Sequence, residues 1–100
     1  MPNANVSLQV LPMCGGGKEK VYSIVDEVIA YIASHGVKYV VCPHETTMEG
    51  DFDSLMEIVK GAQRVCVEAG AHSVISHVKI EFDPGGGASI EEKTGKYAGA

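Results

Sequence analysis

The apolar positions of the chain follow two periods that take turns along it. Over Asn5 to Leu11 the period is two: Val6, Leu8 and Val10 share one face, and Ser7, Gln9 and Leu11 share the other. This predicts a first strand, ended by Pro12. From about Lys18 to His35 the period lengthens. Val21, Ile24, Val25, Val28, Ile29 and Ile32 recur at helical spacing, which predicts a first helix with an unbroken apolar stripe. Gly36 suits the left-handed position after it. A β-prone run from Val37 to Cys42 predicts a second strand, with Val37, Tyr39 and Val41 toward the helices and Lys38, Val40 and Cys42 outward. Pro43 stops it.

Thr46 to Glu49 predicts a short third strand. Met48 points one way; Thr47 and Glu49 point the other. Gly50 permits a sharp exit, and Asp51 suits the cap of a second helix from about Phe52 to Ala69. Its core stripe is Phe52, Leu55, Met56, Val59, Ala62, Cys66 and Ala69, while Ile58 and Val65 hint at a second contact. Ser73 to Asp83 predicts the longest strand. Val74, Ser76, Val78, Ile80 and Phe82 alternate with Ile75, His77, Lys79, Glu81 and Asp83. Pro84-Gly85-Gly86-Gly87 breaks it, and Ser89-Ile90-Glu91-Glu92 reads as a capping box opening a short helix to about Tyr97.

The order β-α-β-β-α-β plus a terminal helix, joined by right-handed crossovers, predicts an α+β, ferredoxin-like domain. Its four-stranded antiparallel sheet should run in the spatial order four, one, three, two, with both long helices on one face. Residues 1–100 are expected to form one such domain, ordered over about 4–97. The other face is expected to be uncovered in a monomer. Ser7, Gln9, Thr47, Glu49, His77, Lys79 and Glu81 make it polar at the centre. Leu11, Val40, Cys42 and Ile75 make an apolar border that could pack on a second sheet, so a homodimer or homotetramer through sheet packing is expected. Polar residues near such a junction suit a small-molecule pocket.

Composition narrows the function. One hundred residues support one core. The net charge of −5, without a basic stripe or an aromatic pair for stacking bases, argues against nucleic acid as a partner. No run approaches the ~20 apolar residues of a membrane span, so no membrane partner and a cytoplasmic location are expected. The cysteines Cys14, Cys42 and Cys66 are odd in number and lack CxxC spacing, which suggests a reducing compartment and no metal site. The loop Gly15-Gly16-Gly17-Lys18 lacks the first glycine and the final hydroxyl of a phosphate loop, so a flexible connection is the expected role.

Several stretches resemble a known family. They are Val6-Ser7-Leu8-Gln9-Val10-Leu11-Pro12, Gly36-Val37-Lys38-Tyr39 followed by Pro43, Thr46-Thr47-Met48-Glu49-Gly50-Asp51, and Ile90-Glu91-Glu92-Lys93. Together they look like the small thiamine-binding proteins related to YkoF, formerly a family of unknown function. Val40 stands where members commonly carry an acidic residue, and His44-Glu45 where they carry a Met-Gly pair. The resemblance implies a ferredoxin-like fold, oligomers, and binding of thiamine or its hydroxymethylpyrimidine moiety without catalysis or a cofactor. Ser7, Gln9, Thr46, Thr47, Glu49 and His77 are the expected ligand-binding residues. The chemistry suits them: a carboxylate can accept from an aminopyrimidine and offset a thiazolium charge, while hydroxyl and amide groups bond to ring nitrogens. Two alternatives stand beside it. One is a structural or regulatory oligomer without a ligand. The other, a small hydrolase of acylphosphatase-like fold, lacks a well-placed phosphate-binding arginine, since Arg64 is the only arginine.

Overall fold

A computed structural model describes residues 2–97. In chain order the elements are β1 (Ala4–Met13), α1 (Gly17–Ser34), β2 (Lys38–Val41), β3 (Thr46–Gly50), α2 (Phe52–Glu68), β4 (Ser73–Phe82) and α3 (Ile90–Thr94). A 3-10 turn, Gly95–Tyr97, extends α3. The sheet is antiparallel in the order β2-β3-β1-β4, the ferredoxin-like α+β arrangement.

Strand β1 runs past its expected end. It pairs with β4 from Ala4 to Met13 but with β3 only from Ala4 to Leu8. At Pro12 the β3 edge has already been left behind, so the missing N–H removes no bond to that neighbour. Alternation then sorts the sheet. Ala4, Val6, Leu8 and Met48 face the helices and are buried. They meet Ile24, Val28 and Ile32 of α1 and Leu55, Ala62 and Cys66 of α2 in one core. Ile58, expected as part of a second contact, is core as well, at 2% exposure. Burial pushes the Cys66 thiol above its ordinary range.

The helix caps follow the sequence. The Asp51 carboxylate accepts the Ser54 N–H at 3.1 Å, and the Ser89 hydroxyl accepts the Glu92 N–H at 3.3 Å. The start of the chain ties the other elements together. Asn3 accepts the Phe52 N–H at 2.8 Å with its side chain, and its carbonyl accepts the Asp83 N–H at 2.7 Å. One long row is less covered than its pattern suggests. Val78, Ile80 and Phe82 face the helix side of β4 yet stay between 37% and 52% exposed. Helix α2 touches this strand at Phe82, where the Phe52 ring lies 4.8 Å away, and at Ser76, which donates to Gln63 at 2.6 Å.

Helices α1 and α2 close on each other at Gly61, where the end of the Tyr31 ring occupies the space a Cβ would need. Gly61→Ala should therefore displace Tyr31 and destabilise the fold by about 1–2 kcal/mol, within the range for overpacking. In a Tyr31→Ala background the same change should instead stabilise by about 0.5–1 kcal/mol, because alanine is the better helix former. Urea denaturation of the four proteins checks the reversal of sign; additive effects would mean that Tyr31 does not set the helix spacing.

Candidate functional site

The face of the sheet away from α1 and α2 is built in rows, because antiparallel partners share a side. Lys38, Glu49, Asn5 and Glu81 lie across it in one row. Val40, Thr47, Ser7 and Lys79 form the next. Beyond them Gln9 faces His77, and Leu11 faces Ile75. In the second row the Ser7 and Thr47 hydroxyls are 2.7 Å apart, each able to donate to the other. One of their hydrogens joins the pair; the other, with the remaining lone pairs, is left for a third group. Lys79 reaches Glu45 of the β2–β3 turn at 3.4 Å, an exposed pair of small energetic weight.

This face is not wholly uncovered, contrary to the sequence expectation. After β4, Gly86 and Gly87 adopt φ of 80° and 135°, values that glycine tolerates without strain, and the chain turns back across the first row. Pro2 accepts the Gly87 N–H at 3.0 Å. Helix α3 then lies over the sheet and buries Ile90 to 8% exposure. Four polar contacts hold it. The Glu49 carboxylate accepts the Ile90 N–H at 2.7 Å, at the positive end of the short helix. Asn5 donates to the Ala88 carbonyl at 2.7 Å and accepts from Lys93 at 3.2 Å. Lys93 also pairs with Glu81.

Between α3 and the sheet is a cavity of about 460 Å³. Asn5, Ser7 and Thr47 contribute its polar lining, with Val40 and Ile90 as apolar surface and Glu81 and Lys93 as a charged pair. Such a mixture, mostly apolar with a few fixed polar groups, suits a small organic molecule.

The sequence-derived residues separate into three groups. Ser7 and Thr47 are brought together and line the cavity. Glu49 adjoins it through Ile90 rather than standing unengaged on the face. Gln9 and His77 are opposite each other one row away, outside the lining. Thr46 is on the helix side, 6% exposed, paired with Leu8. Strand alternation forces that placement: Thr46 and Met48 must share a side. Asn5, Ile90 and Lys93 went unremarked as lining residues. The phase of β1 carries a signal for Asn5, which alternates with Ser7 and Gln9. No comparable signal marks where α3 comes down.

Among the described residues, no group of three or more His, Cys, Asp and Glu side chains is arranged to hold a metal ion. Nor is any described helix long and apolar enough to cross a membrane.

The pattern that defines the family described as thiamine-binding protein matches residues 6–98. A UPF0045 protein of Clostridium perfringens is 53% identical over 97 residues, which are 97% of this chain and 99% of that protein. A Bacillus cereus domain of unknown function, DUF77, is 41% identical with a TM-score of 0.88; the match spans 99% of this chain and 94% of that one. A Thermotoga maritima protein with the provisional name thiamine biosynthesis/salvage protein is 34% identical with a TM-score of 0.84, over 96% of this chain and 99% of that one.

The geometry assigns Glu49 a mechanical task. Glu49→Ala should loosen α3 while leaving the core intact. A hydrogen bond to a charged group contributes about 1.5–3 kcal/mol, so exchange of the Ile90 amide should speed up at least about tenfold. Amides of Val6 and Leu8 should keep their protection. Hydrogen exchange followed by NMR reads both; an unchanged Ile90 amide would remove Glu49 from the docking of α3.

Proposed function

The chain belongs to the thiamine-binding protein family, and we propose that it binds thiamine, or the hydroxymethylpyrimidine part of it, in the cavity beneath α3. The observation that carries this reading is the Ser7–Thr47 hydroxyl pair in the floor of a mainly apolar cavity of about 460 Å³. An aminopyrimidine offers an amino donor beside ring-nitrogen acceptors. The hydroxyl pair can donate to a ring nitrogen, and the Asn5 amide lies in the neighbouring row. Val40 and Ile90 give the ring an apolar surface to lie against. Glu81 supplies negative charge for a cationic thiazolium, shared with Lys93. Glu49 acts through α3, whose position sets one wall. Gln9 and His77 lie where the thiazolium side of a longer ligand, or a second copy of the sheet, would reach. In this reading the role is binding in the cytoplasm, without catalysis or cofactor; among the described residues no nucleophile and base are paired at the cavity.

Titration calorimetry tests this reading directly. Thiamine and hydroxymethylpyrimidine should each give heat that saturates at one ligand per chain. Thr47→Val removes one hydroxyl at nearly constant volume and should weaken binding roughly two- to tenfold, from the ~0.5–1.5 kcal/mol of a neutral hydrogen bond. No uptake at millimolar ligand would end the binding reading.

A second reading rests on a different observation. Leu11, Val40 and Ile75 are 37%, 40% and 52% exposed on this same face. A homo-oligomer that joins sheet to sheet, with or without a ligand, would cover them. Val40→Lys with Ile75→Lys should then lower the mass seen by light scattering while leaving thermal unfolding nearly unchanged. An unaltered mass would free this face of any such role.

A further inference from the structure

The core does not close at the end of the sheet where β1 outruns β3. Strand β3 begins at Thr46, opposite Leu8, whereas β1 continues to Met13 with β4 as its only strand neighbour. The turn before β3 folds back on itself, and the Cys42 N–H donates to the Glu45 carbonyl at 2.8 Å. Helix α1 passes over the resulting gap. The single apolar stripe expected on α1 therefore splits in two. Ile24, Val28 and Ile32 are buried in the core. Val21, Val25 and Ile29, spaced by four, are half-buried and stand outside it. Val41, on the helix side of β2 beside Thr46, is left 51% exposed. Between these residues lies a second cavity, of about 370 Å³. It shares only Cys42 with the cavity under α3.

One buried polar group stands in its wall. Thr46 is 6% exposed and paired within the sheet to Leu8 and Val41. Among the described residues its hydroxyl has no hydrogen-bond partner, and no fully enclosed polar side-chain atom lacks one. The hydroxyl is thus the part of Thr46 that remains open, and the cavity is what it opens onto. Valine would fill the same position without a polar atom to satisfy. The lining contains no lysine or arginine. Its one carboxylate, Glu45, already pairs with Lys79. Its rings, Tyr22 and His44, are both exposed.

We propose that this cavity is a second ligand site, for an uncharged aliphatic molecule that carries one hydrogen-bonding head. The valine, leucine and isoleucine walls take the chain, and the Thr46 hydroxyl takes the head. A hydroxyl donates to a carbonyl and accepts from an alcohol or amide, so the head is a neutral group of that kind. An anionic head would lose its hydration without meeting a fixed cation. With no buried ring to stack on, the walls favour a flexible chain over an aromatic plane. Binding here needs neither α3 nor the Ser7–Thr47 pair, so it stands apart from the thiamine reading.

Octanol and octanoate are the probes. Titration calorimetry of the wild type with octanol should saturate at one molecule per chain, and octanoate should bind at least about tenfold more weakly. Methyl NMR should place octanol against Val21, Val25 and Ile29, with Val40 and Ile90 of the other cavity unmoved. Thr46→Val keeps the shape and removes the hydroxyl. It should weaken octanol roughly two- to tenfold. Without ligand it should melt no lower than the wild type, because no protein group loses a bond. Val25→Phe should fill the cavity and abolish octanol binding. The proposal is overturned by no octanol uptake up to its solubility limit, by octanoate binding as tightly as octanol, or by shifts at Val40 and Ile90 instead. Full octanol affinity in Thr46→Val, or in a folded Val25→Phe, overturns it as well. A Thr46→Val protein that melts lower would make the hydroxyl a structural group and also overturns it. If Val25→Phe does not fold, Thr46→Val and the NMR shifts decide.

Discussion

Over Ala4–Leu8 strand β1 is bonded on both edges, to β3 on one side and to β4 on the other. That double pairing fixes which way each of its side chains can point. A slip of one residue would send Val6 and Leu8 to the polar face and Ser7 to the core, losing burial on one side and hydrogen bonding on the other. The core forms on one side of this strand because Ala4, Val6 and Leu8 leave no polar group there. The cavity forms on the other side because Asn5 and Ser7 alternate with them. The same ladder that organises the core thus also places the floor of the site.

The two polar groups at the centre of the floor come from strands far apart in sequence. Ser7 and Thr47 meet because β1 and β3 are adjacent and in register, not because of any local motif. Their geometry is rigid for that reason. Both are carried on regular strands with paired backbones, and each orients the hydroxyl of the other. The opposite wall is of another kind. It rests on a helix of five residues, held by one buried side chain and a few polar contacts. Local opening free energies should differ accordingly, with the floor opening only with the core and the wall opening more readily.

Much of this was readable from the chain. The two hydrophobic periods give the element order, and crossover handedness gives the strand order. Alternation then puts Thr47 and Glu49 on the face away from the helices, with Ser7 beside them. It also puts Thr46 with Met48 on the helix side. Two features were not readable. The descent of α3 onto the sheet depends on glycine conformations at Gly86 and Gly87, and glycine is compatible with too many paths to reveal one. The half-exposure of Val78, Ile80 and Phe82 depends on how far α2 reaches over the last strand. A period of two reports which side a residue faces, but not whether anything covers it.

The first described residues bear on how the protein is handled. Pro2 accepts backbone hydrogen bonds from Gly87 and Ala88, and Asn3 bonds to both Phe52 and Asp83. The opening of the chain is thus a clasp that joins the start of α2, the end of β4 and the turn leading to α3. A purification tag fused directly before Pro2 would press on that clasp and, through it, on the wall of the cavity. Affinities measured on such a fusion would report the tag as well as the site, so any tag there needs cleavage or a long flexible spacer before ligands are compared.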